Sequence, residues 1–207
     1  MRDLTGSHVA LRPLDVSRDA PRLHDVFTGA PESLWTYMSS GPFSDERDLA
    51  AMLAGMVRAP DRLPYVIEVD DRALGIASYL RIVPDDGVIE IGSITLSPAL
   101  QRTIAATEAI YLMIRNVFQL GYRRCEWKCD DLNEPSRTAA VRLGFAYEGT
   151  FRQATHYKGR NRDTAWYAML DREWPALDQV FQEWLAPANF DSEGGQLRSL
   201  REIREAT

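Results

Sequence analysis

The sequence predicts an α/β fold: a mixed, mostly antiparallel central sheet with helices on both faces. Three observations carry this expectation. Between Tyr65 and Leu96 the runs YVIEV, ALGIASYLRIV and VIEIGSITL are separated by Asp70-Asp71-Arg72 and Asp85-Asp86-Gly87, the pattern of hairpin-linked strands. From Leu100 to Leu120 the apolar period becomes helical, with Ala106, Ala109, Ile110, Met113, Ile114 and Val117 on one face. Beyond that, strand and helix patterns alternate, which calls for crossovers with helices laid on the sheet.

The elements follow in order. HVALRPL (8–14) alternates and ends at Pro13, as a first strand does, and Ser17 to Phe27 reads as a short helix closed near Gly29. A second helix, DLAAMLAGMVRA, takes Ser44 as its N-cap and stops before Pro60. The three hairpin strands come next, then the long helix with Gly121 at its C-terminal end. RRCEWKCD alternates strictly, as a strand, and NEPSRTAAVRLG is a compact helix with Asn133 as N-cap, Pro135 in its first turn and Gly144 as terminator. FAYEGTFRQATHYKG and DTAWYAML are strands around a GRN turn. Glu173–Trp184 is a final helix, and the segment after Pro187 is polar and expected to be loosely held. Residues 1–186 form one domain with no linker inside it, and 187–207 form a polar tail.

Composition narrows the function. A net charge of −6 and 45% hydrophobic residues describe a soluble globular chain and argue against nucleic acid as a general partner. No apolar run approaches membrane-spanning length and MRDLTGSHVALR lacks a signal-peptide core, so neither a membrane partner nor export is expected and the cytoplasm is the default. Cys125 and Cys129, four apart on a strand, stand about 13 Å apart, beyond disulfide reach. With the scattered His8, His24 and His156 they form no metal site, and they read as small buried hydrophobes.

The stretches IEIGSITLSP, QRTIAATEA, DDLNEPSRTAAVRLGFAYEG and GRNRDTAWYAM, in this order across residues 87–170, resemble the GNAT superfamily of acyl-CoA-dependent N-acyltransferases. They are most similar to its ribosomal-protein N-terminal acetyltransferase branch. The resemblance implies acetyl-CoA as acyl donor and an amine acceptor, with no metal, and leaves a homodimer open. It places the pyrophosphate on Gln101, Arg102, Thr103, Ile104, Ala105, Ala106 and Thr107, where a helix N-terminus offers backbone N–H donors. The family prefers glycine at the positions of Arg102 and Ile104. The loop still works as a cradle if φ stays negative, if Ile104 turns into the core and if Arg102 adds a cation; otherwise it is only a helix start.

The remaining roles follow the chemistry of thioester aminolysis. The end of the strand at Ile94, Thr95 and Leu96 would donate to the developing oxyanion. The resemblance gives Asn133 the pantetheine arm and Ser136 the thiolate, although both also suit a helix start. His156 and Glu90 are the alternatives for the base, since the branch's glutamate position holds Thr155. Trp35 and Tyr37 would wall the acceptor site, or belong to the core. Arg152, Lys158, Arg160 and Arg162 form either a solvated turn or an anion patch, and a nucleophilic Cys129 has nothing nearby to activate it. The expected function is N-acyl transfer to a protein N-terminus or small amine by direct attack in a ternary complex. The rivals are a non-catalytic acyl-CoA-binding module and an interaction domain that has lost the cofactor.

Overall fold

The computed structural model describes residues 2–206. Its strands are β1 (Leu4–Thr5), β2 (Ala10–Pro13), β3 (Leu63–Val69), β4 (Arg72–Val83), β5 (Val88–Leu96), β6 (Arg124–Asp130), β7 (Ala146–Tyr157) and β8 (Arg160–Leu170). Its α-helices are α1 (Val16–Phe27), α2 (Glu46–Arg58), α3 (Ile104–Gln119), α4 (Glu134–Arg142), α5 (Trp174–Leu185) and α6 (Leu200–Ala206). The strands make one sheet in the order β1-β2-β3-β4-β5-β6-β8-β7, antiparallel at every pairing except β5–β6. Helices cover both faces, so the predicted fold class is the observed one.

Alternation of side chains along the strands divides the core between the two faces. Val66 and Ile76 meet α1 and α2 in a cluster with Leu23, Phe27, Leu49 and Leu53. Ile67, Tyr79, Ile91, Cys125 and Tyr167 point the other way, against α3, α4 and α5. Most of α3 is buried, because it lies across the sheet and is covered in turn by α5 through Tyr111–Phe181 and Phe118–Trp174 ring contacts at 5.1 and 5.2 Å. Glu108 of α3 accepts the backbone N–H groups of Ser7 and His8 at 2.8 and 2.7 Å, tying the β1–β2 turn to the helix.

Local chemistry explains where the boundaries differ from expectation. Asp15, not Ser17, starts α1 and accepts from the Arg18 N–H; Asp45 rather than Ser44 caps α2 through the Arg47 N–H. The two-residue β1 was too short to show a period. The last hairpin turns at Lys158-Gly159, both with positive φ, so Arg160 and Asn161 belong to β8 instead of to a GRN turn.

The segment after Pro187 is not loosely held. Asn189 donates to the carbonyls of Trp184 and Arg198 at 3.0 Å, and Leu200 and Ile203 are buried in the same core as α3 and α5. Only two apolar side chains of α6 do this, which is why its composition reads as polar. Gly144, at φ 97°, ends α4, and a Cβ there would stand 2.8 Å from Leu177, so the glycine also lets α5 close in. Ile203→Ala is expected to cost at least about 2 kcal/mol in denaturant unfolding, as for a core truncation; a loose tail would show almost none.

Candidate active site

β5 and β6 are paired only through Val88↔Arg124, Ile89↔Cys125 and Glu90↔Glu126. Beyond Glu90 they part, and the rest of β5 has no partner strand on that side. A bulge accompanies the fork: between Gly92↔Ser78 and Thr95↔Ile76, β5 carries Ser93 and Ile94 opposite the single Ala77. Ser93 has φ 48°. The predicted donors Ile94, Thr95 and Leu96 lie along this open edge, with Thr95 buried and Thr95 and Leu96 back in register with β4. Sequence reasoning missed Ser93. A glycine inside a strand pattern, Gly92, was the available signal for a bulge.

The open edge leads into the start of α3. Thr103 is the N-cap, its hydroxyl oxygen accepting the Ala106 N–H at 3.1 Å, and Gln101 reaches back to the Leu96 carbonyl at 2.9 Å. The backbone N–H groups of Arg102, Thr103, Ile104 and Ala105 meet no protein acceptor among the described residues. Four donors at a helix N-terminus, with the macrodipole behind them, fit a pyrophosphate. Ile104 packs against the core as anticipated. Arg102 does not keep φ negative: it stands at φ 61°, in the left-handed region where glycine is at ease. The loop therefore adopts the glycine conformation without the glycine.

Across the fork, Asn133 caps α4 by accepting the Ser136 N–H at 3.2 Å. The Ser136 hydroxyl accepts from the Trp127 indole N–H at 3.1 Å and faces the Cys129 thiol. Because the indole can only donate, the Ser136 proton must point elsewhere. Burial pushes the Cys129 thiol up, with the Ser136 contact opposing it, so the thiol is no ready nucleophile.

On the face carrying α1 and α2, the carboxylates beside the fork are engaged. Lys128 bonds Glu90 at 2.7 Å and Glu126 at 3.3 Å, and lies 3.9 Å above the Trp166 ring. Asp130, at the end of β6, accepts from the Tyr157 hydroxyl at 2.7 Å, the Leu132 N–H at 3.0 Å and Arg160. Burial opposes the charged form of Asp130, but those three donors outweigh it and hold the carboxyl below its usual range. Burial and then Asp130 push Tyr157 up to about 12, so at neutral pH it is a donor. His156 is exposed and alternates with Tyr157 along β7, pointing away from this cluster. It is not brought together with the other candidates.

Trp35 and Tyr37 divide. The Trp35 ring is buried edge-on between Phe27 and Phe43 and is part of the core, as its blander reading had it; Tyr37 is half-buried with Arg160 6.0 Å from its ring. Lys158, at the hairpin tip, donates to the carbonyls of Trp35 at 2.7 Å and Gly41 at 3.3 Å. Lys158 lines an open surface hollow of about 490 Å³ together with Glu32, Ser33, Trp35, Thr36 and Pro42. Lys158 and Arg160 thus act within the protein and do not form an open anion patch. The chain has only two lysines, Lys128 and Lys158, and both amines are bound here.

Two outcomes follow from this geometry. Arg102→Gly should raise stability by roughly 0.5–1 kcal/mol in denaturant unfolding, since left-handed strain of about 1–2 kcal/mol exceeds the entropy a glycine gives the unfolded chain. The Asp130 contribution is present above the ordinary carboxylate pKa of about 4 and is lost as pH falls through its lower folded value. Amide exchange in the β7–β8 hairpin should accelerate over that acid window, and Asp130→Asn should remove the pH dependence.

Comparison with known proteins agrees with the fold. The sequence pattern described as "Acetyltransferase (GNAT) domain" matches residues 8–146. A GCN5-related N-acetyltransferase from Brucella melitensis is 41% identical, with TM-score 0.95 over 99% of this chain and 94% of that one. A probable GNAT-family acetyltransferase from Chromobacterium violaceum is 45% identical, with TM-score 0.81 over 84% and 88%. RimL, a ribosomal L7/L12 α-N-protein acetyltransferase solved in complex with coenzyme A, shares the fold at TM-score 0.68 and 21% identity, over 82% of this chain and 98% of that one. With a forked β5–β6 pair opening onto a donor-rich helix start, and these relatives, the chain belongs to the GNAT acetyltransferase family.

Proposed function

We propose that the protein transfers an acetyl group from acetyl-CoA to a primary amine, by direct attack in a ternary complex in the cytoplasm. The observation that carries this reading is the pairing of four unpartnered N–H groups at the start of α3 with a serine across the fork whose proton is free to donate. Acetyl-CoA supplies an activated acyl carbonyl. Within the predicted loop Gln101–Thr107, the free N–H groups of Arg102, Thr103, Ile104 and Ala105 hold its pyrophosphate, Asn133 positions its pantetheine arm, and the open edge Ile94, Thr95 and Leu96, with the bulge at Ser93, faces the carbonyl oxygen. Ser136 donates its proton toward the leaving sulfur. Arg102 keeps a costly backbone conformation with a cationic side chain, which supports its use against an anion.

The acceptor must arrive as a free amine. An α-amine with pKa near 8 is roughly a quarter neutral at pH 7.5, against about a thousandth of a lysine side chain. Glu90 is bound to Lys128 and Asp130 to Arg160, so neither matches a free base, and His156 faces away. A weak base or a chain of waters suffices for an α-amine, whose proton is lost about two pH units more easily than that of lysine. That favours a protein N-terminus over lysine, and the α-N-protein substrate in RimL's name makes an unblocked N-terminal peptide the first acceptor to try. The same engaged carboxylates favour a second reading, an acyl-CoA-binding module without turnover.

Calorimetric titration with acetyl-CoA, followed by thiol release on adding amines, separates these. Micromolar binding with amine-dependent thiol release is expected. Binding without release for any amine of a broad panel would leave only the module. Ser136→Ala should lower kcat about 100-fold or more with acetyl-CoA binding unchanged, and Asn133→Ala should weaken binding instead; an unchanged kcat in Ser136→Ala would remove its role as acid.

A further inference from the structure

Arg162, near the start of β8, is half-buried and has no carboxylate within ion-pair distance among the described residues. Its Nε is buried without a hydrogen-bond partner, and the guanidinium lies 5.8 Å from the Tyr157 ring centroid. The cations around it are matched differently: Arg160 bonds Asp130, Lys128 bonds Glu90 and Glu126, and Arg124 bonds Glu126 and Glu148. The cross-strand partner of Arg162 on β7 is Thr155, which brings a hydroxyl and no charge. A guanidinium keeps its proton, and a partly dehydrated charge with no counter-charge costs stability. The fold therefore holds a cation here that it does not itself use.

Its location gives that cation a use. Thr164 and Trp166 lie opposite Asp130 and Lys128 of β6, and Arg162 continues their row past the end of β6, on the face carrying α1 and α2. Cys129, whose thiol faces Ser136, lies opposite Ala165, and the Arg162 charge is close enough to favour its thiolate. In the proposed reaction the leaving sulfur stands beside Ser136. Three residues of strand separate Ala165 from Arg162, about 10 Å. An extended peptide advances about 3.5 Å per residue, so an acceptor whose α-amine attacks at the fork brings its second or third residue to Arg162. The α-carboxylate of a free amino acid, two bonds from its amine, falls short. A carboxylate side chain suits the planar guanidinium, which can bind both of its oxygens.

We infer that Arg162 binds a carboxylate side chain at the second or third residue of the acceptor peptide, and so selects N-termini with an acidic residue there. This rests on the reading that the protein acetylates a peptide N-terminus, and adds to it a sequence preference.

The test is thiol release from acetyl-CoA by the full chain with three short peptides bearing free α-amines. One carries Asp at its second position, one carries Asp at its third, and the last has Asn at both. The wild type, Arg162→Met and Arg162→Gln are compared, with a melting curve for each. In the wild type at least one Asp peptide should exceed the Asn peptide in kcat/KM by about tenfold or more, the usual worth of a hydrogen bond to a charged group. Arg162→Met, which keeps the packing of the stem and removes the charge, should bring the Asp peptides to the Asn level and leave the Asn peptide unchanged. Arg162→Gln repeats that comparison if the methionine variant does not fold. A wild type that uses the three peptides equally would overturn the inference. So would a folded variant that keeps the preference, including one that slows all three peptides by the same factor, as a purely structural role would. Thiol release with none of the peptides would instead overturn the reading of a peptide acceptor and remove the basis for this one.

Discussion

The buried bridge between Lys128 and Glu90 stands at the point on which the rest of the site depends. Glu90 and Glu126 face each other at the last paired register of β5 and β6, where two like charges would push the strands apart. Lys128, one step beyond the fork, reaches both carboxylates and closes the gap with the Trp166 ring beneath it. Such a buried ionic group adds little net stability compared with apolar residues of the same volume, whereas removing one partner is costly. Its value here is geometric: it fixes the register at which pairing stops, and the strands diverge from there.

The fork is also where the two halves of the sheet are mechanically joined. Asp130 ends β6 and orients the turn that presents Asn133 and Ser136, through the Leu132 N–H, while its other bonds hold Tyr157 and Arg160 of the last hairpin. The hairpin reaches across to the connection between α1 and α2 through Lys158 and Arg160. A single carboxylate thus bonds both the turn that leads into α4 and the last hairpin.

The sequence made the long-period features legible and concealed the short-range ones. Strand alternation, the helical face of α3, and Asn133 followed by Ser136 are periodic or capping signals, and they carried the sheet, the helices and the two helix starts that flank the fork. The left-handed Arg102 was signalled only by the family's preference for glycine at that position, because an arginine by itself gives no sign of a positive φ. The engagement of Glu90 by Lys128, of Asp130 by Tyr157, and of Lys158 by two carbonyls all join residues far apart in the chain or across strands, and no spacing rule reveals them. Burial of α6 was hidden because two apolar residues, Leu200 and Ile203, suffice to dock a short helix whose other positions are charged.

Basic residues number 24, yet only Lys128 and Lys158 carry a side-chain amine; the others are arginines. Both amines lie in structurally informative places, one at the fork and one at the tip of the last hairpin. An amine-selective label therefore has two side chains to find, and each reports on one half of the site. Modification at Lys158 registers opening of the hairpin from the α1–α2 connection, and modification at Lys128 registers separation of β5 from β6. The protein carries its own pair of chemical gauges, told apart by which peptide holds the label.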